Sequence, residues 1–248
     1  MDLRLSGARA LITGGNRGIG LATATALAAE GASVVLLGRD LGALEAAAAA
    51  IGQGASTVSA DTTDDDAVRR AVDEAAGRLG GLDVVVNAAA PRATTPVAPG
   101  LAGLDDHDFL TQVDTKALGY ARVVRAAAPY LRDGGGRVVN VSGTNARTTG
   151  AIAGSVRNIA VVAISKSLAD ELGPSGVTVT CVHPGLTVTE RVAGDADYAE
   201  AASHNALGRP VEAEEVARVI TFLASPHAAI MNGAVITVDG GTPGPIWA

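Results

Sequence analysis

The segment Gly14-Gly15-Asn16-Arg17-Gly18-Ile19-Gly20 carries the strongest chemical signal in the chain. Its Gly-x-x-x-Gly-x-Gly spacing follows a short apolar run and opens a helical pattern, a variant of the dinucleotide-binding fingerprint. In such a turn Gly14 allows the tight bend, Gly18 lets the backbone approach a pyrophosphate, and Gly20 permits close helix–strand packing. Backbone N–H groups and the positive end of the helix then face the anion, so this segment supports diphosphate binding. Other candidates carry less. His183, before Pro184, either faces a site or is satisfied by backbone, and Asn145 and Arg147 either read polar substrate groups or bond their own loop. Arg92, Arg191, Tyr198 and His204 sit in two irregular stretches, where substrate contact and loop anchoring read alike. Cys181 lies inside an apolar run and reads as a buried, inert thiol. No His, Cys or carboxylate cluster has ligand spacing, so no catalytic metal is expected.

These residues need a scaffold, and the hydrophobic periodicity supplies one. Apolar runs at residues 8–13, 33–37, 56–60, 83–88, 137–142, 177–182 and 234–238 read as strands covered on both faces. Helical patterns lie between them at 19–30, 41–51, 65–79, 105–131, 155–172 and 211–224. Asp64, Asp65 and Asp66 place anionic groups at a helix start, Pro210 fits the first turn of the last helix, and Gly173-Pro174 ends the helix before it. Strands alternating with helices over short connections predict an α/β Rossmann fold, a doubly wound parallel sheet with helices on both faces. The irregular stretches 91–103 and 186–208 follow strand C-termini, the edge where such sheets bind ligands.

Composition narrows the function classes. The 248 residues are 48% hydrophobic, enough for a full core, and no composition break divides them, so a single domain over 1–248 is expected. The charge balance is 19 − 26 = −7 with 2% aromatics, which leaves neither basic clusters nor stacking platforms for nucleic acid. One cysteine cannot form an intrachain disulfide, which suits a reducing cytoplasm. Met1 to Leu5 contain no signal-peptide core. The longest suspect uncharged stretch, 221–238, is interrupted by Ser225-Pro226-His227 and Asn232-Gly233, so no membrane segment is expected.

Motifs in order along essentially the whole chain resemble the short-chain dehydrogenase/reductase family. They are Thr13-Gly14 with Gly18-Ile19-Gly20, Asn87-Ala88-Ala89-Ala90, Val139-Asn140-Val141-Ser142, Pro184-Gly185 and Val238-Asp239-Gly240-Gly241. The resemblance implies NAD or NADP binding, and assembly as a homotetramer or homodimer. It places Asp61, with Thr62 beside it, near adenine, and Asn87, Ala88 and Ala89 over the adenine ribose. Pro184, Gly185, Thr187 and Thr189 match the segment that holds the nicotinamide. Ala90 stands where the family usually has glycine. After the second strand an acidic residue would accept from NAD's ribose hydroxyls, but Gly38-Arg39 stands there and Arg17 sits in the glycine loop. Two guanidiniums can clamp a 2′-phosphate, so NADP(H) is expected over NAD(H), with Asp40 one position late for the ribose.

The family's catalytic Tyr-x-x-x-Lys pair does not match. Counted back from Ser167-Leu168-Ala169-Asp170-Glu171-Leu172, the tyrosine position falls on Gly154 and the lysine position on Asn158. No tyrosine occurs between Tyr130 and Tyr198. Ser142 matches the family serine, while Lys116, one of two lysines, stands where the preceding helix usually carries asparagine. Lysine and asparagine thus read as exchanged across the site, with a surface lysine as the alternative. The catalytic set is therefore Ser142, Lys116 and Asn158, in an NADP(H)-dependent oxidoreductase interconverting a carbonyl and an alcohol on a small molecule. Two alternatives stay open: a nucleotide-binding protein without redox turnover, and a lyase or isomerase in the same pocket.

Overall fold

A computed structural model describes residues 1–52, 54–91, 100–132, 134–149, 151–190, 192 and 194–244. Arg92 and Arg191 lie outside the described residues, as does most of 91–103. The chain runs β1 (Arg9–Thr13), α1 (Gly18–Ala29), β2 (Ser33–Gly38), α2 (Leu41–Ile51), β3 (Ala55–Ser59), α3 (Asp65–Leu79) and β4 (Val84–Asn87). It continues through α4 (Asp106–Val113), α5 (Gly119–Leu131), β5 (Arg137–Val141), α6 (Ile152–Leu172), β6 (Thr178–Pro184) and β7 (Thr187–Val188). Last come α7 (Ala196–Ala202), β8 (Val211–Glu212), α8 (Ala213–Leu223) and β9 (Val235–Val238).

Seven strands form one parallel sheet in the order β3-β2-β1-β4-β5-β6-β9, the doubly wound arrangement expected. Their Val, Leu and Ile side chains are buried on both faces, against α3 and α5 on one side and α1 and α8 on the other. Acidic caps set several helix starts, because a carboxylate accepts from an otherwise unpaired N–H of the first turn. Asp40 accepts from Ala43 N, Asp64 from Ala67 N and Asp195 from Tyr198 N.

Two expectations are corrected. The helix expected at 105–131 is interrupted by a π turn, Asp114–Leu118, between α4 and α5. The physical reason lies beside it. Thr62 Oγ1 donates to Thr115 O at 3.1 Å, and a β-carbon on Gly119 would lie 2.9 Å from Thr62 Cβ. A side chain that takes a helical carbonyl displaces the regular ladder there. Pro210 does not begin the last helix; it precedes β8, which pairs with β7, and α8 starts at Ala213 under a Glu212–Glu215 capping box. The two-residue strands β7 and β8 and the short α7 carry too little periodicity to be read from sequence.

By length and hydropathy α6 resembles a membrane-crossing helix. Here its buried residues Gly154, Asn158, Val161, Ser165, Ala169 and Leu172 form one stripe against the fold, while Val156 and Ile159 stay exposed.

Candidate functional site

A cleft of about 280 Å³ opens at the C-terminal ends of the strands, the edge where this topology gathers loops. One wall is the glycine segment: Gly14, Asn16, Arg17, Gly18, Ile19 and Gly20. Gly14 has φ +67°, and a β-carbon there would lie 2.9 Å from Ala89 Cα, so the turn and the loop after β4 touch backbone to backbone. Gly20 also permits a close approach within the turn itself. A β-carbon there would lie 2.2 Å from Gly14 O, so the start of α1 packs on its own turn, while Ala24 and Leu27 further along it pack on β1 and β2.

Arg39, Asp61 and Thr62 line the outer end of the cleft, with Ala88 and Ala89 beneath. Arg39 Nη1 is 3.5 Å from Asp61 Oδ2, and both side chains are substantially exposed, which makes the pair weak. Partial burial pushes the Asp61 carboxyl up, but hydrogen bonds from Thr63 N and Oγ1 and the Arg39 charge hold it below the usual value. Asp40 is not on the wall; its carboxylate is engaged with Ala43 N.

Asn87 is fully buried and supports the cleft from below. Thr13, Asn87 and Asn140 lie side by side on β1, β4 and β5, which brings their polar groups into line. Asn87 Nδ2 donates to Asn140 Oδ1 at 2.9 Å, Asn140 Nδ2 donates to Ser165 Oγ at 2.9 Å, and Thr13 Oγ1 accepts from Ala88 N and Ala89 N. Such a satisfied buried chain fixes the loop after β4 and ties it to α6.

At the inner end, Lys116 and Ser142 line the cleft, and Pro184 and Thr189 close its far side. Lys116 is only 5% exposed. Its Nζ donates to Ser142 O at 2.8 Å and to Asn158 Oδ1 at 2.9 Å, leaving the third N–H of an ammonium without a protein acceptor among the described residues. Burial pushes its pKa down to about 7, helped by the Arg157 guanidinium and opposed by Cys181. The two accepting oxygens act in the other sense, favouring the charged form. Ser142 Oγ donates to Asn158 O at 2.8 Å, so the serine and the lysine rest on the same turn of α6. One turn earlier Gly154 presents no side chain, and a β-carbon there would meet Asn145 Nδ2 at 3.3 Å.

Some expected residues are not gathered onto the wall. Gly185 packs against Asp239, where a β-carbon would lie 2.9 Å from Asp239 Cβ, and Thr187 Oγ1 donates to Gly185 O. His183 is buried and off the wall of this cleft, and its Nδ1 has no hydrogen-bond partner among the described residues; burial lowers its pKa to about 4, with Arg147 and Lys116 adding. Arg147 donates to Thr237 Oγ1. Cys181 is fully buried and burial pushes its thiol up to about 11, as an inert cysteine requires.

Tyr120 and Glu190 are among the wall residues that sequence reading did not single out. Tyr120 follows Lys116 by four, a spacing that was legible; its hydroxyl donates to Val141 O at 3.1 Å and burial raises its pKa. Glu190 accepts from Gly18 N through both carboxylate oxygens, at 3.1 and 2.9 Å, across 172 positions that no local signal spans.

Comparison with known proteins agrees with this architecture. Residues 14–243 match the family profile described as Enoyl-(Acyl carrier protein) reductase. The chain is 36% identical to the short-chain reductase protein NovJ of Streptomyces niveus, over 94% of this chain and 93% of that one. A short-chain dehydrogenase from Burkholderia cenocepacia, solved in complex with NADP, superposes with TM-score 0.85 at 35% identity, covering 96% of this chain and 98% of that one. L-Sorbose reductase from Gluconobacter frateurii, complexed with NADPH and L-sorbose, gives TM-score 0.89 at 27% identity and 98% coverage of both. With a profile match over nearly its whole length and relatives above 30% identity end to end, the chain belongs to the short-chain dehydrogenase/reductase family, oxidoreductases that bind NAD(P) and act on small molecules.

Proposed function

We propose that this protein is an NADP(H)-dependent oxidoreductase that interconverts a carbonyl and an alcohol on a small molecule, with Lys116 supplying the proton in place of the family tyrosine. The observation that carries the reading is the buried Lys116 ammonium at the inner end of the cleft, held by Ser142 O and Asn158 Oδ1 with one N–H to spare. The cleft fits a dinucleotide. The close approaches of Gly14 and Gly20 leave no room for β-carbons, and the N–H of Gly18 already attracts a carboxylate. Gly14, Asn16, Gly18, Ile19 and Gly20 would hold the diphosphate, Arg17, Arg39, Asp61, Thr62, Ala88 and Ala89 the adenosine end with Asn87 supporting them from below, and Pro184 and Thr189 the nicotinamide end, with Gly185 and Thr187 fixing the segment behind them. When bound, the nicotinamide supplies or accepts a hydride.

The protein's own residues handle the charge and the proton. Ser142 Oγ, now donating to Asn158 O, would turn to the substrate oxygen, and Lys116 Nζ would donate to the alkoxide as its charge develops. An amine with pKa near neutrality can both give and take that proton. Asn158 orients the lysine from the opposite helix. The NADP preference rests on Arg17 and Arg39 at the adenosine end and is supported by the NADP and NADPH complexes of the two structural relatives. Exposed Leu118, Val156 and Ile159 beside the site suit a two-fold mate, so a homotetramer, or a homodimer, of single-domain chains in the cytoplasm completes the reading.

NADPH consumption over a panel of aldehydes and ketones, lost in Lys116→Ala with the fold intact by circular dichroism, would support the assignment. Unchanged turnover in that variant would remove the lysine from the chemistry. A second reading, nucleotide binding without turnover, draws on Gly154, which offers no proton donor where the family has one. Tight NADPH binding with no oxidation across the panel would favour it.

A further inference from the structure

The contact between Glu190 and Gly18 joins the segment after β7 to the start of α1, and nothing in the proposed chemistry uses it. Helix α1 begins without a side-chain cap from its own sequence and without an acidic residue in its first turn. Its N–H groups and dipole therefore remain available to an anion, and the anion they find is the Glu190 carboxylate, through both oxygens at 3.1 and 2.9 Å. Glu190 has no basic ion-pair partner among the described residues and is exposed apart from this contact. Thr189 presses on the same glycine, 3.3 Å from where a Gly18 β-carbon would be. The other end of the segment is tied down, by the β7–β8 ladder and by Tyr198 OH donating to Thr187 O at 3.2 Å.

We propose that Glu190 is an internal competitor for the diphosphate seat: its carboxylate occupies the Gly18 N–H that a dinucleotide's diphosphate needs, and nucleotide binding must expel it. This inference rests on the nucleotide reading of the cleft. Two carboxylate oxygens on one backbone donor imitate two phosphate oxygens in charge and reach, and both cannot occupy that donor together. Repulsion between the carboxylate and the incoming diphosphate adds to the competition. Nucleotide entry is thereby coupled to release of the 189–190 end of a segment anchored at Thr187. The carboxylate lowers cofactor affinity without touching substrate, and it acts on the diphosphate alone, blind to the 2′-phosphate that Arg17 and Arg39 would read.

Calorimetric titration of the full chain and of Glu190→Gln and Glu190→Ala tests this, with NADP⁺, NAD⁺, ADP-ribose and 2′-AMP as ligands. The three diphosphates should bind the variants about three- to tenfold more tightly, the range expected for removing a helix-terminus anion from its donor. Affinity for 2′-AMP, which lacks the diphosphate, should not change. Diphosphate affinities that stay the same or weaken would overturn the inference, as would an equal gain for 2′-AMP. If neither the parent nor the variants bind any of the four, the nucleotide reading itself falls and this inference with it.

Discussion

Lys116 Nζ lies 2.9 Å from Asn158 Oδ1, a buried contact between the π turn that follows α4 and the middle of α6. The two residues stand on helical segments that face each other across the inner end of the cleft. Each explains the other's burial: the amide oxygen accepts from an ammonium that would otherwise lose its hydration uncompensated, and the lysine satisfies an otherwise stranded acceptor.

If Lys116 is the proton donor, removing it costs the general-acid contribution. Lys116→Ala should lower kcat for carbonyl reduction by about 10²–10⁴-fold with a smaller effect on nucleotide affinity. The pH dependence follows from its pKa of about 7. Reduction needs the ammonium, so its rate should fall as pH rises through about 7, while alcohol oxidation, which needs the free amine, should rise over the same range. Lys116→Arg keeps a charge that does not titrate and should flatten both profiles. Steady-state kinetics in the two directions across neutral pH checks the crossing.

The same lysine makes a stability prediction that does not depend on substrate. Its folded pKa is depressed to about 7, and unfolded it returns to about 10.4. Between those values the unfolded chain binds one proton more, so stability rises with pH there and is flat on either side. Burying the ammonium is thus a cost borne in full below pH 7 and relieved above. In Lys116→Met the rise should vanish. Urea unfolding of both proteins through that window, read as the difference between them, measures it.

Arg39 sits at the cleft's outer end against Asp61, and Asp40 is engaged in capping α2. NADPH should therefore bind more tightly than NADH. Arg39→Asp should weaken NADPH by about tenfold or more while leaving NADH unchanged or improved. Added salt should erode the preference, because the guanidinium is well exposed. Equal affinities in the unaltered protein, by fluorescence titration, would overturn the assignment.

Two glycines should respond in opposite ways to alanine. At Gly154, within α6, the new methyl meets the flexible end of Asn145 at 3.3 Å and Ala151 Cβ at an ordinary 3.7 Å, so helix propensity prevails and the melting temperature should rise by about 1–3 °C. At Gly20 it would lie 2.2 Å from the Gly14 carbonyl, which cannot give without breaking the turn. Gly20→Ala should melt earlier and bind nucleotide poorly. Differential scanning fluorimetry of the pair is sufficient.

The amino-acid sequence by itself determined the sheet, because Val-rich runs buried on both faces have one place to go and glycine spacing marks the turn after β1. The seven strands of the sheet and most helices appear within a residue or two of where periodicity puts them. That no tyrosine lies between Tyr130 and Tyr198 was equally plain, since a residue type absent from a whole stretch needs no coordinates. What tertiary structure alone decided are the contacts between positions far apart in the chain. Thr62 reshapes the helix that carries Lys116 from 53 positions away, Glu190 reaches Gly18 from 172, and Asn158, which the family resemblance set across the site from that lysine, hydrogen-bonds it directly from 42. None of these has a local pattern to betray it. Hydrophobic periodicity records which face of an element is buried, whereas a single polar contact between elements depends on where packing brings two side chains together.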